Sequence, residues 1–296
     1  IVILTMDLYQ CVVPEIMKRQ KAYVASWREK AATLGVWDYS WGHGYVLPRI
    51  YFRVHAEMLR YLRRQNTLVY FGENECFDAK EGPKEYLVAR LLWDVNADVD
   101  ALLSDWYRNC VGEEAAPYLK EYYTLWENVM SGPEIRKTPW FKSAYTSVYM
   151  TWDGDRSHMY AVSEKDLAHA RELMQQVVSR AGTAQEKERA ALLTSLLQDK
   201  SGETYGAEYL PPENTLKDAE SAAAVLRSFE RIPHLIGKRN RLAEEFRNDP
   251  VMGYYYRSKI YSRRLRFEEP ASEIMLWLLS FALDFADAPP VQAELK

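Results

Sequence analysis

Three short apolar blocks, each followed by a helical stretch, constrain this chain more than any other feature. They are IVILTM (1–6), LGVWDYSW (34–41) and TLVYFG (67–72). The first is continuous, apolar and bounded by Asp7, the pattern of a strand buried on both faces. Pro14 suits the first turn of a helix reaching about Thr33, and Val54, Met58, Leu59 and Leu62 recur at helical spacing between Tyr51 and Asn66. Gly82 and Pro83 open a third helix, through Trp93. Buried strands alternating with helices predict a parallel sheet with helical crossovers. A (β/α)8 barrel and a doubly wound sheet both fit, and both place chemistry at the carboxyl ends of the strands. Those ends are polar here: Asp7, Asp38, and Glu73 with Glu75. No G-x-G-x-x-G or phosphate loop follows any strand, which argues against nucleotide binding.

From Asn96 the pattern turns helical. Val99, Leu102, Leu103, Trp106, Tyr107 and Cys110 form one stripe that Gly112 stops, with Asp98 and Asp100 as first-turn charges. Ser163 and Asp166 resemble a capping box, Gly182 ends that helix, and Thr183 with Glu186 starts the next. Further helices are predicted near 214–230, 233–247 and 271–286. SAYTSVYM (143–150) reads as a strand or an extended connection, and Trp152 to Asp155 as a turn. The expected division is 1–95, α/β, and 96–296, mainly α.

Composition removes several function classes. With 38 basic and 42 acidic residues the net charge is −4, so nucleic acid finds no basic footprint. No apolar run nears the roughly 18 residues that span a bilayer. Cys11, Cys76 and Cys110 are too few and too scattered for a disulfide framework or a zinc site, and read as buried thiols. His43 and His55 lack metal-ligand spacing, so neither a metal nor a cofactor is expected. Aromatic residues make up 13% of the chain, a supply of sugar-stacking surfaces or of core.

The motifs become specific in combination. Trp37-Asp38-Tyr39, the helix end from Tyr86 to Asp94, the helix start Ala97 to Asp100 and the stretch Val111 to Tyr118 together resemble a bacterial family, domain of unknown function 4838. The likeness covers about residues 1–130, and Val111 departs from it by standing where the family has Tyr. The resemblance implies a glycoside-hydrolase-like fold, distantly similar to the alpha-glucuronidases. This chain would then be the C-terminal part of a (β/α)8 TIM-type barrel, its last three βα units, followed by a mainly helical domain. Ile1 already opens a strand, so the chain reads as the later part of a longer protein, with a secreted or periplasmic location compatible with a leader further upstream.

Cleavage of a glycosidic bond needs two carboxyl groups, one protonating the leaving oxygen and one attacking or activating water. The resemblance makes Asp38 and Glu73 the water-side pair and leaves the general acid outside the chain. Trp37, Tyr39 and Trp41 would form a sugar platform, with His43, Asp7 and Glu75 as further substrate contacts. Arg49 and Arg53 could hold a sugar carboxylate. Each has a plainer reading: a backbone or arginine partner for Asp38, core packing for the aromatics, a solvated loop for His43, surface ion pairs for the arginines. The expected activity is hydrolysis of a plant or bacterial poly- or oligosaccharide, and the alternative is non-catalytic carbohydrate binding or a helical interaction module.

Overall fold

The computed structural model describes residues 1–40, 48–73, 81–144, 157–203, 216–248 and 279–295. Trp41, His43, Glu75, Cys76, most of 143–150 and Trp152 to Asp155 lie outside them. The described chain forms two compact units, Ile1–Thr194 and Ser195–Lys296.

The first unit contains the sheet. Strands β1 (Val2–Met6), β2 (Leu34–Tyr39) and β3 (Thr67–Glu73) are parallel and lie in the order β1-β2-β3. Helix α1 (Pro14–Arg28) carries the chain from β1 to β2, and α2 (Phe52–Arg64) from β2 to β3. The strand–helix alternation is therefore as the sequence predicts. The sheet built from it is not the expected part of a barrel: the described residues are mostly helical, with a small three-stranded parallel sheet. The reason is physical. Alternation encodes parallel pairing through helical crossovers, but it carries no information about how many strands join or whether a sheet closes.

The strands also differ from the expectation of burial on both faces. In β1, Leu4 and Met6 are buried while Ile3 is 45% exposed, and in β3 Phe71 is 51% exposed. Across the sheet Leu4 pairs with Val36 and Val36 with Tyr70, which sets one face inward. Ile3, Gly35 and Val69 pair on the other, as do Thr5, Trp37 and Phe71. A Cβ at Gly35 would lie 2.5 Å from Ile3 Cδ1 and 3.0 Å from Val69 Cβ, so a side chain there would have to push its neighbours aside. The inner face rests on α2, whose Ala56, Met58, Leu59 and Leu62 are buried. Met58, Leu59 and Leu62 each stabilise the unit by about 1.5–3 kcal/mol when fully removed from water.

Helices α3 (Lys84–Trp93), α4 (Val99–Val111) and α5 (Ala116–Ser131) pack in succession, and α2 touches both α3 and α4. The compact unit thus runs straight through the division expected at 95/96. Asp98, expected as a first-turn charge, is the cap of α4: its carboxylate accepts from the amides of Asp100 at 2.8 Å and Ala101 at 3.1 Å. Gly112, with φ of 89°, ends the helix. After the short α6 (Pro139–Ala144), helix α7 (Glu164–Arg180) packs on α5 and starts with the predicted capping box of Ser163 and Asp166. Helix α8 (Ala184–Glu203) follows Thr183, whose hydroxyl accepts from the Glu186 amide. Much of the aromatic content is core here, with Trp126, Trp140, Tyr123, Tyr9 and Tyr51 fully buried.

In the second unit the helices predicted at 214–230 and 233–247 are one helix, α9 (Ala219–Asn248), which continues through Pro233. Proline costs a helix one hydrogen bond but does not always end it. Ala222, Ala223, Val225 and Leu226 of α9 pack with Ala282 and with Val291 of α10 (Pro289–Glu294).

Gly82 joins the end of the β3 connection to α5. Its φ is +56°, and an added Cβ would stand 2.2 Å from Tyr123 Cζ. Gly82→Ala combines left-handed strain with a collision against a buried ring. It is expected to lower stability by about 2 kcal/mol or more, read as a lower urea midpoint at unchanged slope.

Candidate functional site

The pleat decides where each strand-end residue points. Successive side chains of a strand alternate between faces, so in β2 Trp37 and Tyr39 share one side and Asp38 takes the other. Asp38 faces inward and is fully buried. Its Oδ1 accepts from the Leu8 amide at 2.9 Å. Its Oδ2 accepts from the Tyr70 hydroxyl at 2.7 Å and lies 3.1 Å from His55 Nε2. His55 Nε2 is also 3.2 Å from the Tyr70 oxygen, and its ring stacks on Tyr51 with centroids 5.0 Å apart. Burial alone would raise the Asp38 carboxyl. The hydrogen bond and charge of His55, the Leu8 amide and the Tyr70 hydroxyl outweigh it and hold the carboxyl below its usual range. Asp38 therefore joins the turn after β1, α2 and β3.

A second polar cluster closes the carboxyl ends of β1 and β2. Asp7 caps the 3-10 helix Leu8–Val12, accepting from the Tyr9 amide at 3.0 Å, and lies 3.4 Å from a guanidinium nitrogen of Arg49. Arg49 donates to the Tyr39 carbonyl at 2.8 Å, with its guanidinium 5.3 Å from the Tyr9 ring and 5.6 Å from the Tyr51 ring. Lys84 donates to the Ser40 carbonyl at 2.7 Å and pairs with Glu81. Carbonyls at a strand end have no ladder partner, and two buried cations satisfy them here. Asp7, expected as a substrate contact, and Arg49, read as a sugar-carboxylate partner or a surface ion pair, are both parts of this buried scaffold. Arg53 is an exposed partner of Asp100, the plainer of its two readings. Burial, reinforced by Asp7 and Asp38, pushes the Cys11 thiol up to about 12, which suits an inert buried thiol.

The outer face is different in kind. Trp37 is 38% exposed and lies 4.7 Å from the Phe71 ring, edge to face, and 6.3 Å from the Tyr39 ring, nearly parallel. Its indole N–H donates to Glu73 Oε2 at 2.8 Å. Tyr39 and Glu73 are register partners at the carboxyl ends of their strands. The structure thus gathers Trp37, Tyr39 and Glu73 on one open face and adds Phe71, which the sequence reading did not single out.

Asp38 and Glu73, expected as a pair, occupy opposite faces of the sheet. Asp38 pairs in register with Gly72, and its carboxylate is sealed on the side away from Trp37. The residues that seal it, His55 and Tyr70, were also missed. His55 had a legible signal, since it falls on the apolar stripe of α2 between Phe52 and Leu59. Among the described residues no group of His, Cys, Asp and Glu is placed to hold a metal ion, and no helix is long and apolar enough to cross a membrane. A groove of about 620 Å³ runs beside β3, lined by Leu62, Leu68, Leu92, Trp93 and Asn96 among others, and holds none of the expected site residues.

Residues 2–124 match the family model of a domain of unknown function, DUF4838. The match spans the sheet, both crossovers and helices α3 and α4. No curated protein and no solved structure matches the chain.

Because the Asp38 carboxyl is held low in the folded protein, it contributes stability above the ordinary carboxylate range, and that contribution is lost as the pH falls through its folded value. Asp38→Asn leaves the Leu8 amide, His55 and Tyr70 to share one weaker acceptor. It is expected to cost about 2–4 kcal/mol at neutral pH. Urea unfolding between about pH 3 and pH 7 is the check: the variant should lose less stability on acidification than the parent.

Proposed function

We propose that the outer face of the sheet binds a saccharide, with Trp37, Tyr39 and Phe71 as its platform and Glu73 as its hydrogen-bonding carboxylate. The observation that carries this reading is the half-exposed Trp37 indole, clustered with two rings and tied by its N–H to Glu73. The C–H-rich face of a sugar ring is apolar and slightly positive, and it suits the negative face of an aromatic ring. Sugar hydroxyls donate readily to a carboxylate, and charge-assisted hydrogen bonds are the stronger kind. The tie to Glu73 fixes the indole before a ligand arrives, which lowers the ordering cost of binding.

This reading favours binding over cleavage by the Asp38–Glu73 pair. Two carboxyls that cut a glycosidic bond stand about 5 Å or about 6.5–9.5 Å apart across the same bond. Asp38 and Glu73 face opposite sides of one sheet, and both Asp38 oxygens are taken by buried partners.

Isothermal titration of the whole chain against glucose-, xylose- and N-acetylglucosamine-based oligosaccharides tests the proposal. Binding by the parent should fall at least about tenfold in Trp37→Ala, with the circular dichroism spectrum unchanged. Failure of the parent to bind any saccharide, or equal binding by the variant, overturns it.

A further inference from the structure

We infer that the open edge of β3 takes up an extended peptide from another protein as a further strand, an inference independent of the saccharide reading above. β3 is last in the order β1-β2-β3, so among the described residues its far side has no neighbouring strand. The Ser40 amide donates to the Glu73 carbonyl at 3.0 Å, which turns the backbone of Glu73 toward β2. Successive residues of a strand present their N–H and C=O groups to opposite edges. The backbone groups of Gly72 and Tyr70 therefore face away from β2, with no backbone partner among the described residues. Sheets commonly protect such edges with proline, lysine or other charges. β3 has none before Glu73: it reads Thr67, Leu68, Val69, Tyr70, Phe71, Gly72. The groove of about 620 Å³ lies along this edge, walled by Leu68 and Tyr70 of β3 and by Leu92, Trp93 and Val95 at and after the end of α3. Trp93 is 93% exposed and Leu68 61%, large apolar surfaces left to water.

Charge complementarity fixes the occupant. An open strand edge alternates N–H groups, with positive partial charge, and C=O groups, with negative partial charge. A second strand presents the same alternation at the same spacing, about 3.3 Å per residue, and so pairs both kinds. An acyl chain would fill the groove but leave those groups unpaired. In strand addition the main chain supplies affinity, and pockets beside the edge select alternate side chains. Every second side chain of the incoming strand would lie over the groove, where its walls suit apolar groups. Arg63 and Asp94 both line the groove, so their opposite charges select neither an acidic nor a basic peptide. The partner is therefore an extended segment, apolar at alternate positions.

The probe is a capped peptide of alternating threonine and valine, its seven residues matching β3. Calorimetric titration of the whole chain should detect binding, and amide hydrogen exchange at Tyr70 and Gly72 should slow when the peptide is added. Two further forms, N-methylated at the odd or at the even positions, keep every side chain but each lose the donors of one edge. Their affinities should differ by at least about tenfold, since only one edge meets β3. Leu68→Lys sets a charge at the groove and should weaken binding at least about fivefold, with an unchanged circular dichroism spectrum. Equal affinities of the two methylated forms overturn the inference, because the main chain would then play no part. Protection confined to residues other than 67–73, or no binding by a monomeric parent, overturns it as well. A parent that is a dimer by ultracentrifugation, ignores the peptide and becomes monomeric in Leu68→Lys gives the edge to a second copy and also overturns it.

Discussion

The buried carboxylate of Asp38 is the constraint on which the rest of the sheet depends. It accepts hydrogen bonds from the amide that follows β1 and from Tyr70 of β3, and it contacts His55 of α2. An ionised carboxylate in an apolar interior is tolerated only when its lone pairs are filled. Three elements must therefore be in place together, and a shift of any one leaves the buried charge short of a partner. The pleat then carries this demand to the opposite side: with Asp38 turned in, Trp37 and Tyr39 must turn out. The open aromatic face is the obverse of the buried acid.

Register completes the arrangement. Leu34 pairs with Thr67 but Gly35 pairs with Val69, so β3 holds one extra residue, Leu68, at its start. A bulge reverses which side chains face inward beyond it. Because of it Tyr70 reaches Asp38, and Phe71 and Glu73 join Trp37. Gly35 sits beside the bulge, where a Cβ would crowd Ile3 and Val69.

Much of this was legible in the sequence and some was not, for definable reasons. Strand and helix positions followed from apolar blocks and helical spacing, and the caps at Ser163 and Thr183 followed from side-chain chemistry. Sheet closure did not, because local patterns do not specify how many strands join. Nor did the inner and outer faces across strands, because register and a one-residue bulge leave no composition signature. One error was avoidable. Trp37, Asp38 and Tyr39 are consecutive in a strand and cannot all face one ligand, so parity alone separates the aromatic pair from the acid. Arg49 illustrates the opposite case: an arginine in a loop carries no sign of complete burial, and only the unpaired carbonyls of the strand ends explain its place.

The hold of Arg49 on the Tyr39 carbonyl, across ten positions of sequence, has a bearing on how this protein can vary. The segment between them begins and ends at one fixed staple, so its two ends are pinned independently of what lies in the middle. Lengthening a closed segment costs little, about 0.6 kcal/mol for each doubling. Homologous chains could therefore insert or delete residues there while the framework of strands keeps its geometry.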